Sequence, residues 1–201
     1  MSDILYTYKN SVYFNITNKC PCNCEFCIRS MGEGVGSAQS LWLESEPSLK
    51  EILSHIDVFD FEKYKEAVFC GYGEPLCAFD NLIAVCKYLR KKYPALKIRV
   101  NTNGLGDLIN ETPTAKTLCK NIDSVSISMN APTAEKYNAI TRPVYGLSAF
   151  DAMLNFARKC KRYLPDVTLT VVDTICKSDI EECKKLSDEM GIKFRTRNYG
   201  E

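Results

Sequence analysis

The residues with the most chemical capacity sit in one clump. The segment Lys19-Cys20-Pro21-Cys22-Asn23-Cys24-Glu25-Phe26-Cys27-Ile28-Arg29 carries four thiols within eight residues. Three of them, Cys20, Cys24 and Cys27, follow the spacing C-x3-C-x2-C. Thiolates bind iron–sulfur clusters strongly. Three can hold three irons of a [4Fe–4S] cube and leave the fourth open to an outside ligand, as a catalytic zinc site keeps one position vacant. Cys22 lies inside this spacing and is read as a free thiol facing away from such a cluster. Counted together, the four thiols could instead hold a structural zinc, although such sites usually draw two ligand pairs from separated segments.

Further along, Gly71-Tyr72-Gly73-Glu74-Pro75 follows a short apolar run and has the composition of a turn. Asn101-Thr102-Asn103-Gly104 ends another β-rich run, and Ser124-Val125-Ser126-Ile127-Ser128-Met129-Asn130 spans a further one. Alternation along a strand places Ser126, Ser128 and Asn130 on one face. A polar row on a buried strand is costly unless it is paired or lines a site. The other reading is a turn at Asn103-Gly104 and a half-exposed edge strand. Asp173, Arg195 and Arg197 are charged residues in late β-rich runs, and surface pairing accounts for them as well as a ligand does. The remaining cysteines, Cys70, Cys77, Cys86, Cys119, Cys160, Cys176 and Cys183, form no close pair in the sequence, so a single cluster is expected. Cys86 fits the apolar face of its helix as a small hydrophobe. His55, the one histidine, has polar neighbours and reads as structural or exposed.

The C-x3-C-x2-C loop resembles the signature of the radical S-adenosylmethionine (SAM) superfamily, down to the aromatic Phe26 before the third cysteine. The resemblance implies a [4Fe–4S] cluster on Cys20, Cys24 and Cys27, with SAM chelating the open iron and Phe26 near its adenine. An electron from the cluster would cleave SAM to methionine and a 5′-deoxyadenosyl radical, which abstracts hydrogen from a substrate; the cofactor carries the hard chemistry. Gly71, Gly73, Glu74 and Pro75 resemble the family's G-G-E-P motif, with Tyr72 in place of one glycine. The resemblance gives this loop the SAM ammonium, which needs acceptors such as backbone carbonyls and the Glu74 carboxylate. It gives Asn101, Asn103, Ser126 and Ser128 contacts to the ribose and carboxylate. Asp173, Arg195 and Arg197 are further candidates to reach the SAM carboxylate or a substrate acid. The chain is also similar to the small TatD-associated radical SAM proteins, which share the cysteine-rich loop and the length. It is similar to glycyl-radical activating enzymes as well, but Asn101 and Ser128 stand where those enzymes carry cation-binding aspartates.

These motifs need strands to carry them. Ser11–Thr17, Ala67–Cys70, Lys97–Asn101, Ser124–Met129, Val167–Ile175 and Lys193–Arg197 read as strands. Helices are expected over Pro47–Ile56, Phe79–Tyr93, Thr114–Lys120, Ser148–Tyr163 and Asp179–Met190, the last closed by Gly191. Repeated strand–helix units imply an α/β fold with a parallel sheet and outer helices. Six units fall short of an eight-stranded barrel of about 250 residues. A partial TIM-type (β/α)6 barrel with the cluster loop after its first strand and an open doubly wound sheet both fit the pattern; the resemblance selects the partial barrel. Chemistry collects at the carboxyl ends of strands in either. An open lateral edge would suit a large substrate, and Gly32-Glu33-Gly34-Val35-Gly36 could gate access or simply connect.

Length and composition set the outer bounds. At 201 residues with 25% charged side chains, the chain fits one globular domain spanning 1–201. A net charge of +1 gives no broad attraction to nucleic acid or anionic membrane. Met1-Ser2-Asp3-Ile4 has no secretion-signal pattern, and no window approaches the roughly 20 apolar residues of a membrane span. Eleven cysteines, an odd number, then suggest metal ligands and buried thiols in a reducing cytoplasm rather than disulfides. The expected partners are a small-molecule or protein substrate and a one-electron donor such as flavodoxin or ferredoxin. The alternatives are a glycyl-radical activase acting on a partner protein, and a non-catalytic zinc or iron–sulfur structural protein.

Overall fold

The computed structural model describes residues 3–30, 32 and 34–199. Met1 and Ser2 of the N-terminal stretch and Glu33 of the glycine-rich loop lie outside the described residues. The strands are β1 (Leu5–Tyr8), β2 (Ser11–Phe14), β3 (Glu66–Phe69), β4 (Lys97–Thr102), β5 (Ser124–Ser128), β6 (Asp166–Val172) and β7 (Lys193–Arg197). The helices are α1 (Leu49–Val58), α2 (Phe79–Lys92), α3 (Gly106–Ile109), α4 (Ala115–Cys119), α5 (Ala134–Thr141), α6 (Ser148–Tyr163) and α7 (Lys177–Glu189). The strands form one sheet in chain order, β1 to β7. All neighbours from β2 onward are parallel, and β1 pairs antiparallel with β2. No pairing joins β7 to β1 among the described residues, so the sheet is an open, partial barrel with helices outside.

Alternation divides the sheet into two unlike faces. Val12, Phe14, Ala67, Phe69, Ile98, Val100, Val125, Ile127, Val167 and Leu169 point outward into the core. The amphipathic α6 meets them with Phe150, Met153, Leu154, Phe156 and Ala157. Between these outward residues stand Tyr13, Glu66, Arg99, Asn101, Ser124 and Thr168, which are half-buried. Parallel strands covered on both faces are near-continuously apolar; here one face is polar because it lines the inside of an open barrel. Arg99 donates to Glu66 through Nε and Nη2, both at 2.9 Å, which ties β4 to β3 across that interior.

Local signals account for the helix ends. Ser48 and Glu51 form a capping box at the start of α1, so Pro47, expected in the first turn, lies before the cap. Gly191, at φ 62°, ends α7 in a Schellman turn: its N–H donates to Asp188 O at 3.0 Å, and the Ile192 N–H donates to Ser187 O at 3.0 Å. Three elements were not expected from sequence: β1, the single turn α3 and α5. β1, Leu5-Tyr6-Thr7-Tyr8, is four residues long with one aliphatic side chain, too little for an apolar run to stand out. α5 buries only Tyr137 and Thr141, too narrow a stripe for periodicity to show.

The glycine-rich loop is no free connector over its described part. The Ser37 N–H donates to Thr7 O at 2.9 Å and Ser37 Oγ accepts from the Thr7 N–H at 2.8 Å, fastening the loop along β1.

Candidate functional site

A cleft opens at the carboxyl ends of the parallel strands. Cys20, Cys24, Phe26, Cys27, Gly71, Gly73, Glu74, Pro75, Asn101, Asn103 and Ser128 all line it. Segments far apart in sequence therefore converge on one place. Ser126 is the exception: it is buried at 7% exposure, one step deeper in β5, and does not line the cleft.

The cysteine loop leaves β2 through buried Asn15 and Thr17. Its middle is fastened to the carboxyl end of α5. The Asn23 N–H donates to Thr141 O and the Glu25 N–H to Ile140 O, each at 3.0 Å, and the Val144 N–H donates to Pro21 O at 2.9 Å. The two carbonyls are the orphan acceptors of a helix end, which the loop supplies with donors. Arg142, in the left-handed region at φ 44°, turns the chain there and pairs with Glu25.

Cys22 does not face away, contrary to the sequence reading. It lines the cleft with the other three thiols. Asn103 Nδ2 donates to Cys22 Sγ at 3.7 Å. The neighbouring Cys22 pushes the Cys20 thiol down, and Cys20 and Cys24 push Cys22 up. Burial raises Cys27. The signal that sequence offered was the i, i+2, i+4 spacing of Cys20, Cys22 and Cys24, which in extended chain shares one side.

The glycine–acid loop forms the opposite wall, and its closeness to the cysteine loop is backbone-deep. A Cβ on Gly73 would stand 2.1 Å from Thr17 O, and one on Gly71 would stand 2.1 Å from Asn15 Oδ1. Both positions need glycine because another segment approaches the backbone. The Glu74 N–H donates to Lys19 O at 2.8 Å. The Glu74 carboxylate is 4% exposed. It accepts from the Leu76 N–H at 3.1 Å, Thr102 Oγ1 at 2.7 Å and the Asn103 N–H at 2.7 Å. Burial and the nearby Cys20 raise its carboxyl to about 7, against those three hydrogen bonds. A carboxylate has about four acceptor sites, so one remains beyond the three protein donors.

The Asn101 amide oxygen is committed: its Oδ1 accepts from Arg99 Nη1 at 2.7 Å. Asn103 both lines the cleft and makes a turn, since its Oδ1 accepts from the Leu105 N–H at 2.9 Å. Gly104 completes that turn at φ 76°. Asp173 stays outside the cleft: it is exposed, and its Oδ1 accepts from the Tyr199 N–H at 2.7 Å. Arg195 is exposed, whereas Arg197 lines the cleft with Asn198 and Tyr199. His55 is exposed on α1, and Cys86 is fully buried in the core.

Two polar atoms in the cleft show what it is shaped to take. Asn130 Oδ1 and Tyr137 Oη are buried without a hydrogen-bond partner among the described residues. Both residues line the cleft. An unmade hydrogen bond on a buried group is costly, so two of them facing one cleft fit a polar ligand with several hydroxyls or ring nitrogens. A nucleoside bearing an amino acid has that character. The thiol donor set fits a cluster. Among the described residues no group of three or more His, Cys, Asp or Glu side chains converges on one metal ion. A cube takes each thiolate on a different iron, so its ligands need not converge.

Comparison with known proteins agrees with this geometry. Residues 14–188 match the radical SAM superfamily. No curated protein matches the chain. Among solved structures, native anSMEcpe with bound AdoMet superposes with a TM-score of 0.63 at 21% identity, over 93% of this chain and 50% of that one. Native anSMEcpe with bound AdoMet and Cp18Cys peptide gives the same values. A radical SAM methyltransferase from Sphaerobacter thermophilus superposes with a TM-score of 0.66 at 14% identity, over 96% of this chain and 68% of that one. The chain thus spans about half the length of the anSMEcpe structures it resembles.

Proposed function

Because the chain belongs to the radical SAM superfamily, whose enzymes use a [4Fe–4S] cluster and SAM, we propose that Cys20, Cys24 and Cys27 hold that cluster and that the cleft beside them binds SAM. The observation that carries this reading is the convergence of the C-x3-C-x2-C thiols and the glycine–acid loop on one cleft. When bound, the cofactors supply a 5′-deoxyadenosyl radical and methionine, at the cost of one electron from a donor such as flavodoxin or ferredoxin, and the radical takes a hydrogen atom from the substrate. The protein's part is to bind and orient. The glycine–acid loop offers carbonyls and the free acceptor site of Glu74 to the ammonium. Phe26 lies where an adenine ring could pack, and Asn130 and Tyr137 face the nucleoside. Ser128, Asn101 and Asn103 border the cleft where the ribose and carboxylate would lie. Ser126 supports that wall from behind.

The 1–201 chain acts, in this reading, as one radical SAM core domain. The four-cysteine loop is what favours the TatD-associated branch. The substrate is a small molecule or a peptide: the open strand ends suit either, and the peptide-bound neighbour supports the second. A glycyl-radical activase finds less support, because Asn101 Oδ1 is taken by Arg99 and the residue offers no carboxylate to a cation. No helix is long and apolar enough to cross a membrane among the described residues.

The test is anaerobic reconstitution followed by reduction with SAM present. Iron and sulfide near four each per chain, with 5′-deoxyadenosine and methionine formed, support the enzyme. A protein that binds zinc stoichiometrically and never assembles iron and sulfide defeats it. Deuterium appearing in 5′-deoxyadenosine from labelled candidate substrates, peptides included, then identifies the substrate.

A further inference from the structure

Five cysteines line the cleft, Cys70 and the four of the cysteine loop, and those four alone outnumber what a SAM-binding cube needs. Cys22 is tethered two residues from Cys20 and two from Cys24, so it cannot move far from any cluster that they hold. Its backbone is fixed from both sides, by Val144 N–H to Pro21 O and by Asn23 N–H to Thr141 O. Its sulfur faces the cleft, within reach of the Asn103 amide at 3.7 Å. Each iron of a cube takes one ligand from outside the cube, and three cysteines leave one iron without a thiolate. Without SAM that iron takes water or the nearest competing donor, and iron in a cluster prefers sulfur.

We propose that Cys22 is a displaceable fourth ligand, its thiolate closing the open iron of the cluster in the SAM-free enzyme and giving way when the amino acid end of SAM binds. The inference rests on the cluster reading above. The Cys22 thiol loses its proton to solvent as the sulfur–iron bond forms and regains one when SAM displaces it. No electron moves in either direction. Released from the iron, Cys22 returns to the hydrogen bond that Asn103 Nδ2 donates to it at 3.7 Å. The device protects the labile fourth iron while the enzyme waits for its cofactor, and it exacts a competition term from SAM affinity.

The experiment uses the full chain, reconstituted anaerobically, as wild type, Cys22→Ala and Cys22→Ser. Mild ferricyanide oxidation converts a cube with an unprotected iron to a three-iron cluster, which electron paramagnetic resonance counts. Wild type without SAM should resist this conversion, and Cys22→Ala should convert several-fold faster; saturating SAM should bring the two rates together. SAM should bind Cys22→Ala several-fold more tightly in equilibrium dialysis. Equal conversion rates and equal affinities overturn the proposal. So does a Cys22→Ala protein that assembles no cluster while Cys20→Ala or Cys24→Ala does, because Cys22 is then a resident ligand. Mössbauer spectra of the wild type give an answer without any variant: SAM must move one iron of the four from all-sulfur to nitrogen- and oxygen-bearing parameters, and an iron already so ligated before SAM overturns the proposal. A wild type that never assembles a cluster is a different result, since it removes the cluster reading itself.

Discussion

The two walls of the cleft are built in opposite ways. The glycine–acid wall is a preformed cradle: Glu74 takes three internal donors, Gly73 lies against the Thr17 carbonyl, and Gly104 closes the Asn103 turn at φ 76°. The cysteine wall has little of this. Its four thiols are half-buried, and its middle is held to α5 by a few backbone hydrogen bonds. The difference follows from what each wall must do. An ammonium and a carboxylate are recognised by fixed polar groups, which work best when already in place. A cube brings its own rigid geometry and orders the thiolates that bind it, so metal binding there supplies the order that the protein alone lacks.

Removing a cluster thiolate should have the largest effect and should leave the cradle untouched. Cys20→Ala, Cys24→Ala and Cys27→Ala are each expected to lose the cluster and to take SAM cleavage to background. The metal-free variants should unfold within about 0.5 kcal/mol of wild type, as partly exposed substitutions do. Iron and sulfide content and urea denaturation check the two halves. A large loss of stability in the metal-free protein would mean that the cysteine wall is as rigid as the other.

Gly73→Ala attacks the cradle instead. Its Cβ would meet the Thr17 carbonyl at 2.1 Å, and backbone cannot swing aside as a side chain can. Overpacking of this kind costs about 1–3 kcal/mol, already in the metal-free protein, and SAM binding should weaken even where the cluster assembles. Unchanged stability would refute the preformed cradle. Arg29 joins the two walls: it donates to Tyr72 O at 2.5 Å and Asn18 O at 2.8 Å and lies over the Trp42 ring at 5.4 Å. Arg29→Ala should cost about 1 kcal/mol and lower, without abolishing, the yield of reconstituted cluster. Arg29→Lys should not restore it, since the fork and the stacking are both lost. Full yield from Arg29→Ala would show that the walls are independent.

What sequence made legible tracks how local each cause is. The parallel strands showed because their outward residues repeat with period two, and α6 showed because its apolar stripe is broad. Cys20, Cys24, Cys27 and Gly71–Pro75, all but Tyr72 lining the cleft, stood out as candidates because their chemistry lies in contiguous residues. Tyr137, which lines the cleft, did not show, because it lies on a helix with a narrow buried stripe; Asn130 showed only as the end of the polar row on β5 and takes φ 58° just past the strand end. Glu74 was legible as an acceptor but not as a residue already serving three donors, because those donors come from a neighbouring turn and another strand. The i, i+2, i+4 spacing of Cys20, Cys22 and Cys24 hints at the side Cys22 takes, but what holds the loop extended is its attachment to α5, a tertiary contact.

The smallest effect is expected behind the cradle, at Asp107 on α3. Its Oδ1 accepts from the Thr114 N–H at 2.8 Å and from Thr114 Oγ1 at 2.9 Å, and its Oδ2 pairs with Lys159 Nζ at 2.6 Å. Partial burial pushes its carboxyl up, but the Lys159 ammonium and the Thr114 donors outweigh this and hold it below its ordinary 3.8. A depressed carboxyl contributes stability that is fully present above the unfolded-state value and disappears as pH falls through the lower folded-state value. Asp107→Asn should therefore cost about 1 kcal/mol at pH near 6, a charged hydrogen bond discounted for the solvent that reaches Lys159. The difference from wild type should shrink toward zero as the solution is acidified below about pH 4. The cysteine loop is anchored to α5 mainly by backbone N–H to carbonyl bonds, and the ion pair there, Arg142 with Glu25, is about half exposed on both sides and contributes little, so that wall should show a much weaker slope. Urea denaturation of the metal-free proteins across this range separates the two: a pH-independent deficit in Asp107→Asn would mean that Asp107 acts by shape rather than charge, and that the cradle owes its rigidity to packing alone.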